Sequence, residues 1–115
     1  MKLGNHFSRD LQLESFERHY RAGSVFYLFC KFTRPPKEKY LLLVSVDPGP
    51  WFFIINSSIS PFCLRSPELR ALQVCLSADE HPFLDRDSFT DCSRIIESLT
   101  RDYVQTNVLS DMSRL

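Results

Sequence analysis

The spacing of apolar positions changes several times along this chain. Between Ser8 and Tyr20, the side chains Leu13, Phe16 and Tyr20 recur at helical intervals, with Ser8 or Asp10 placed to cap the start and Gly23 placed to end it. This spacing predicts an N-terminal helix. The run Val25-Phe26-Tyr27-Leu28-Phe29-Cys30 has no polar alternation and is rich in aromatic and β-branched residues, which predicts a strand covered on both faces. Thr33 to Lys39 carries two prolines and four charges and reads as an exposed loop. Tyr40 to Val46 and Trp51 to Ile55 flank the turn sequence Asp47-Pro48-Gly49-Pro50, so the two segments should form an antiparallel hairpin.

Downstream, Ser66-Pro67-Glu68 has the signature of a short helix start, with serine as cap and proline in the first turn. Leu72, Val74 and Leu76 then alternate with Gln73 and Cys75, the pattern of a half-buried strand. Asp79 to Asp87 is acidic, contains Pro82 and reads as a loop, and Ser88 to Ile96 as a last strand. From Glu97 onward the period becomes helical, with Leu99, Tyr103, Val104, Val108 and Met112 on one face and Thr100 as cap. Helices bracketing a run of strands predict a mainly β domain, a small barrel or tightly curled sheet with a helix added at each end.

Composition narrows this picture. A chain of 115 residues has the size of one domain, and one that size buries roughly two-thirds of its unfolded surface without disulfide staples. Ten Phe, four Tyr and one Trp supply its core. The net charge is zero, which argues against a broad sequence-blind grip on nucleic acid and leaves room for a local basic groove. The opening residues have no apolar run typical of a secretory signal, and the longest apolar run, Trp51 to Ile55, is too short to span a bilayer, so a cytoplasmic location away from the membrane is expected. The four cysteines, Cys30, Cys63, Cys75 and Cys92, form no C-x-x-C pair and are expected to be reduced. A zinc set of Cys63, Cys75, His81 and Cys92 has no established ligand spacing, and Asp79, Glu80, Asp85, Asp87 and Asp91 match no known cation loop, so no metal is expected.

With three glycines in all, phosphate-cradling glycine loops are excluded and no nucleotide cofactor is expected. His6, His19 and His81 lie far apart with no local catalytic signature. More informative are Arg34, in a constrained loop between two neighbouring strands, and Ser57 and Ser58, where the third strand ends. Arginine donates two hydrogen bonds to a phosphate and stabilises charge developing on it. A hydroxyl beside it orients a ribose 2′-OH or a phosphate oxygen.

In order and spacing these segments resemble the MazF/PemK family of toxin endoribonucleases over roughly Gly23 to Ile96. The likeness is carried by Gly23-Ser24-Val25-Phe26-Tyr27, by Arg34-Pro35-Pro36 ahead of Tyr40-Leu41-Leu42-Leu43-Val44-Ser45, by Phe53-Ile54-Ile55-Asn56-Ser57-Ser58-Ile59, and by Asp87-Ser88-Phe89-Thr90-Asp91-Cys92-Ser93-Arg94-Ile95. Three departures are Pro36 to Lys39, which intervene between the Arg-Pro pair and its strand, the shortage of basic residues in that loop beyond Lys37 and Lys39, and the N-terminal helix. The resemblance implies a single SH3-like barrel domain, its core at about residues 23–96 and its C-terminal helix at about 98–113. It also implies a homodimer that cleaves single-stranded RNA without metal or cofactor and is controlled by a small antitoxin protein occupying the RNA groove. By position Arg34 matches the catalytic arginine and Ser57 or Ser58 the catalytic hydroxyl, with Lys37, Lys39 and Asn56 as RNA contacts. The rival expectation is a non-catalytic interaction module, or an inactive relative of the toxins, that binds a protein partner through aromatic residues around Trp51.

Overall fold

The strands expected from the apolar runs form one antiparallel sheet. The computed structural model describes residue 11 and residues 13–108 and 113–114. Helix α1 (13–19) leads into β1 (Ser24–Cys30), β2 (Lys37–Ser45) and β3 (Trp51–Asn56). Two short helices, α2 (Pro61–Leu64) and α3 (Pro67–Ala71), precede β4 (Gln73–Leu76) and β5 (Ser88–Ile96). Helix α4 (Arg101–Asn107) and the two-residue β6 (Ser113–Arg114) complete the order. The six strands lie in the order β4-β5-β3-β2-β1-β6. The β2–β3 hairpin turns at Asp47 to Pro50, as expected, and runs from Ser45↔Trp51 to Tyr40↔Ile55.

Because side chains alternate across a strand, each face of the sheet has its own apolar cluster. Phe26, Leu28 and Cys30 of β1 share one face with Leu41 and Leu43 of β2 and Phe52 of β3, and all are fully buried. Phe16 of α1 and Val104 of α4 cover that face. Arg101 lies 4.9 Å from the Tyr20 ring centre and pairs with Glu17, which ties α4 to α1. On the opposite face Val25 and Ile55 meet Leu76 and Leu84, and the Tyr40 ring lies between Tyr27 at 4.6 Å and Phe83 at 5.2 Å, tilted against both. Here the 77–87 loop does the covering, which explains why the β1 sequence is apolar at nearly every position. Each fully buried Phe or Leu contributes about 1.5–3 kcal/mol. Gly23 sits at φ 95°, a left-handed conformation suited to glycine, and its N–H donates to the Leu43 carbonyl at 2.8 Å.

Several expectations need correction. Lys37 to Lys39 are strand, not loop, because β1 extends to Cys30 and offers them ladder partners, Cys30↔Lys37 through Leu28↔Lys39. Leu72, at the C-cap of α3, and Val74 are 43% and 49% exposed, since among the described residues β4 is an edge strand that pairs only with β5. Helix α2, capped by Ser60, was not expected. The last helix ends at Asn107 and not near residue 113, where the Ser113 and Arg114 backbone pairs with β1. The Ser8 and Asp10 caps and Met112 fall outside the described residues. The fold is mainly β, as expected, but the sheet is open: β4 and β6 are its edges, and no ladder joins them among the described residues.

Candidate functional site

The antiparallel register of β2 and β3 sets the start of one beside the end of the other. Lys37 and Lys39 precede Tyr40, and Asn56 follows its partner Ile55. The same alternation puts both lysines on the face of Leu41 and Leu43, where they extend the buried row beyond the cover of the helices. Lys39 Nζ donates to Asn56 Oδ1 at 2.7 Å. The resulting cavity of about 260 Å³ is lined by Lys37, Lys39, Asn56, Ser57, Ser58 and Asp91 among others. A second depression of about 240 Å³ shares Lys37, Lys39 and Ser57 with it and continues past Tyr27, Tyr40 and Arg86. Together they make a groove that passes around the open end of the β2–β3 hairpin.

Charge in the groove is uneven. Among the described residues, neither Lys37 nor Lys39 lies within ion-pair distance of a carboxylate. Burial, and then the charge of Lys37, pulls the Lys39 ammonium below the ordinary lysine range. On Asp91, burial pushes the other way, but hydrogen bonds from Ser93 and Gln73, and the charge of Arg94, outweigh it and hold the carboxyl below the usual range. Asp91 Oδ1 accepts from Gln73 Nε2 at 2.8 Å, from the Ser93 amide at 3.0 Å and from the Ser93 hydroxyl. Gln73 Nε2 also reaches the Leu69 carbonyl at 3.4 Å, so two acceptors fix its amide orientation.

Five of the six site residues named from sequence therefore line one cavity. The sixth, Arg34, is exposed in the loop that enters β2 and lines neither depression. Thr33 shapes that loop: its hydroxyl lies 3.0 Å from the Cys30 carbonyl and 2.9 Å from that of Pro35, and it accepts from the Lys37 amide at 3.2 Å. Asp91, Gln73 and Ser93 were missed as site residues. The available signal was parity: in a strand from Ser88 to Ile96, Asp91 falls on the face opposite the buried Ser88 and Thr90.

The remaining candidates separate. Asp87 Oδ1 accepts from the Ala78 amide at 2.8 Å and so closes the acidic loop on itself. His19 and His81 each place Nδ1 2.8 Å from a backbone carbonyl, of Ser15 and Ser77. All four cysteines are free, and no group of three or more metal-ligating side chains converges among the described residues. No helix of the described residues is long and apolar enough to cross a membrane. No protein-family model matches the chain, and no curated protein matches it.

Proposed function

We propose that this chain is a metal-independent endoribonuclease of the MazF/PemK type, acting on single-stranded RNA laid along the groove at the β2–β3 end. The observation that carries the reading is the conjunction in one cavity of two lysines without carboxylate partners and the exposed hydroxyls of Ser57 and Ser58. The lysines hold phosphates, and phosphate contacts set the register of a nucleic acid on a protein. The ribose 2′-OH attacks the adjacent phosphorus, the bond to the 5′ oxygen breaks, and a 2′,3′-cyclic phosphate and a 5′-OH result. The proton lost from the 2′-OH is balanced by the one the leaving oxygen gains. Arg34 stabilises the charged phosphorane, and Ser57 or Ser58 orients the phosphate. A serine is a poor base at neutral pH, so the rate comes from positioning and electrostatics. In this reading the open sheet is the counterpart of the family's SH3-like barrel. The chain works in the cytoplasm as a homodimer, and a small antitoxin protein occupies the same groove.

The test is cleavage of mixed-sequence single-stranded RNA in EDTA. Cleavage should persist, Arg34→Ala should slow it on the order of a hundredfold, and Ser58→Ala should cost less, since a hydroxyl supplies a neutral hydrogen bond. Replacing Lys37 and Lys39 together by alanine should weaken RNA binding and lower the salt dependence by about two phosphate contacts. Cleavage abolished by EDTA, or unchanged in Arg34→Ala, would overturn the assignment. The position of Arg34 outside the groove favours a second reading, a non-catalytic interaction module, which a wild type that cleaves no RNA would establish as the better one.

A further inference from the structure

The polar groups lining the first cavity leave a definite set of hydrogen-bonding positions open. Asp91 Oδ1 takes three donors, from Gln73 and Ser93, while Oδ2 accepts from nothing among the described residues. Lys39 has only donors, so the Asn56 oxygen must face it, and the Asn56 NH₂ group has no partner among the described residues. Two of the three Lys39 ammonium hydrogens are free after that bond. The wall thus offers one acceptor held by its neighbours and two donors held by each other. Ile54 pairs with Asp91 and Asn56 with Phe89, so Asn56 stands one diagonal step from Asp91 on the same face of the sheet.

Nucleobases differ in how they match such a set. Along its pairing edge cytosine presents a donor at N4 and acceptors at N3 and O2. Uracil presents an acceptor, a donor and an acceptor, so its O4 would meet the Asp91 carboxylate and its N3–H the Asn56 or Lys39 donors. Guanine offers one acceptor and two donors, and adenine lacks a third polar group. Resting on the RNA reading of the groove, we infer that the cavity is a cytosine subsite: Asp91 Oδ2 accepts from the N4 amino group, and Asn56 Nδ2 and Lys39 Nζ donate to N3 and O2. RNA-binding proteins read splayed bases on this edge. The subsite makes Asp91 a specificity residue for RNA rather than part of the phosphate grip. The hydrogen bonds that keep its carboxyl ionised also keep it an acceptor.

The test uses the full chain and labelled tetracytidylate and tetrauridylate, both 2′-O-methylated to prevent cleavage, with affinity read by fluorescence anisotropy. Wild type should bind the cytosine oligomer about tenfold tighter or more, the range of a good direct base contact. In Asp91→Asn the amide oxygen keeps its bonds from Gln73 and Ser93 and an NH₂ replaces Oδ2, so each base is left with one mismatch, N4–H for cytosine and N3–H for uracil, and the preference should be lost. Asn56→Asp, at a half-exposed position, should erase the preference by setting an acceptor against N3, and it provides a second reading if Asp91→Asn does not fold. Equal wild-type affinity for the two oligomers would overturn the subsite and leave the RNA groove standing. Equal weakening of both oligomers by Asp91→Asn, with folding intact, would reduce Asp91 to a structural role and overturn it too. Binding of neither oligomer would overturn the subsite and the RNA reading together.

Discussion

Cys30 is the residue at which the core and the groove meet. It is fully buried at the end of β1, with Lys37 as its ladder partner and Lys39 on the same face. Burial pushes its thiol up to about 11, and the charge of Lys39 only partly opposes that. Unfolded, the thiol titrates near 9.0. Between 9.0 and about 11 the unfolded chain has therefore released a proton that the folded chain keeps, and stability falls as pH rises through that window. Tyr20 and Tyr40, also raised by burial, add to the loss, whereas Lys39, whose folded form releases its proton early, works against it. Cys30→Val should accordingly flatten the alkaline decline in urea midpoint without removing it. A decline as steep in the variant as in wild type would show that the thiol does not contribute. The same burial makes Cys30 slow to alkylate, because the thiolate is the nucleophile, while the exposed Cys75 should label first.

At the scale of elements, stability and legibility have the same origin, the number of partners an element needs. Helix α3 depends on almost nothing beyond itself: Ser66 Oγ accepts from the Leu69 amide at 3.3 Å, Pro67 occupies the first turn, and both were readable in the sequence. Ser66→Ala should cost on the order of 1 kcal/mol of stability, measured by urea unfolding, and an unchanged midpoint would mean that the cap is idle. Ser60-Pro61 carries the same signature and caps α2 through the Cys63 amide at 3.2 Å, but the helix is four residues long and produces no apolar period to notice. The β2–β3 hairpin was legible because its turn is local. The start of β2, Lys37 to Lys39, was not, because its charges beside Pro35 and Pro36 imitate a loop although the end of β1 supplies the ladder. The site divides along the same line. Hairpin geometry alone brings Lys39 to Asn56. Asp91 enters the groove only because β5 inserts between β3 and β4, a pairing between segments distant in sequence that no local pattern contains. The sequence could therefore place Asp91 in a strand but not beside Lys39 and Asn56. Alternation likewise marked Leu72 and Val74 as inward-facing and could not reveal that β4 lies at an edge, with no strand beyond it among the described residues.

For the molecule as a whole, that edge carries the prediction of a homodimer. An uncovered edge strand presents unpaired N–H and C=O groups and is ordinarily protected by charge, proline or a bulge. The sequence of β4, Gln73-Val74-Cys75-Leu76, has no charge and no proline. Val74 within it and Leu72 just before it are exposed apolar side chains, at 49% and 43%. A net charge of zero removes the long-range repulsion that would keep two copies apart. The occupant that fits a neutral edge with an apolar border is a second copy of the same strand, paired antiparallel about a two-fold axis, the commonest symmetry of soluble oligomers. Sedimentation equilibrium should show a dimer at tens of micromolar, where a dimer of about micromolar Kd is mostly formed. Val74→Lys should return it to monomer, because lysine on an edge blocks strand addition, and it should leave the fold intact, since the side chain is already half in solvent. Phe29→Lys, at an exposed position on β1 away from this edge, serves as the control and should stay dimeric. A wild type that remains monomeric throughout that range would rule out the dimer. A dimer that survives Val74→Lys but is lost in the control would move the interface to the other end of the sheet.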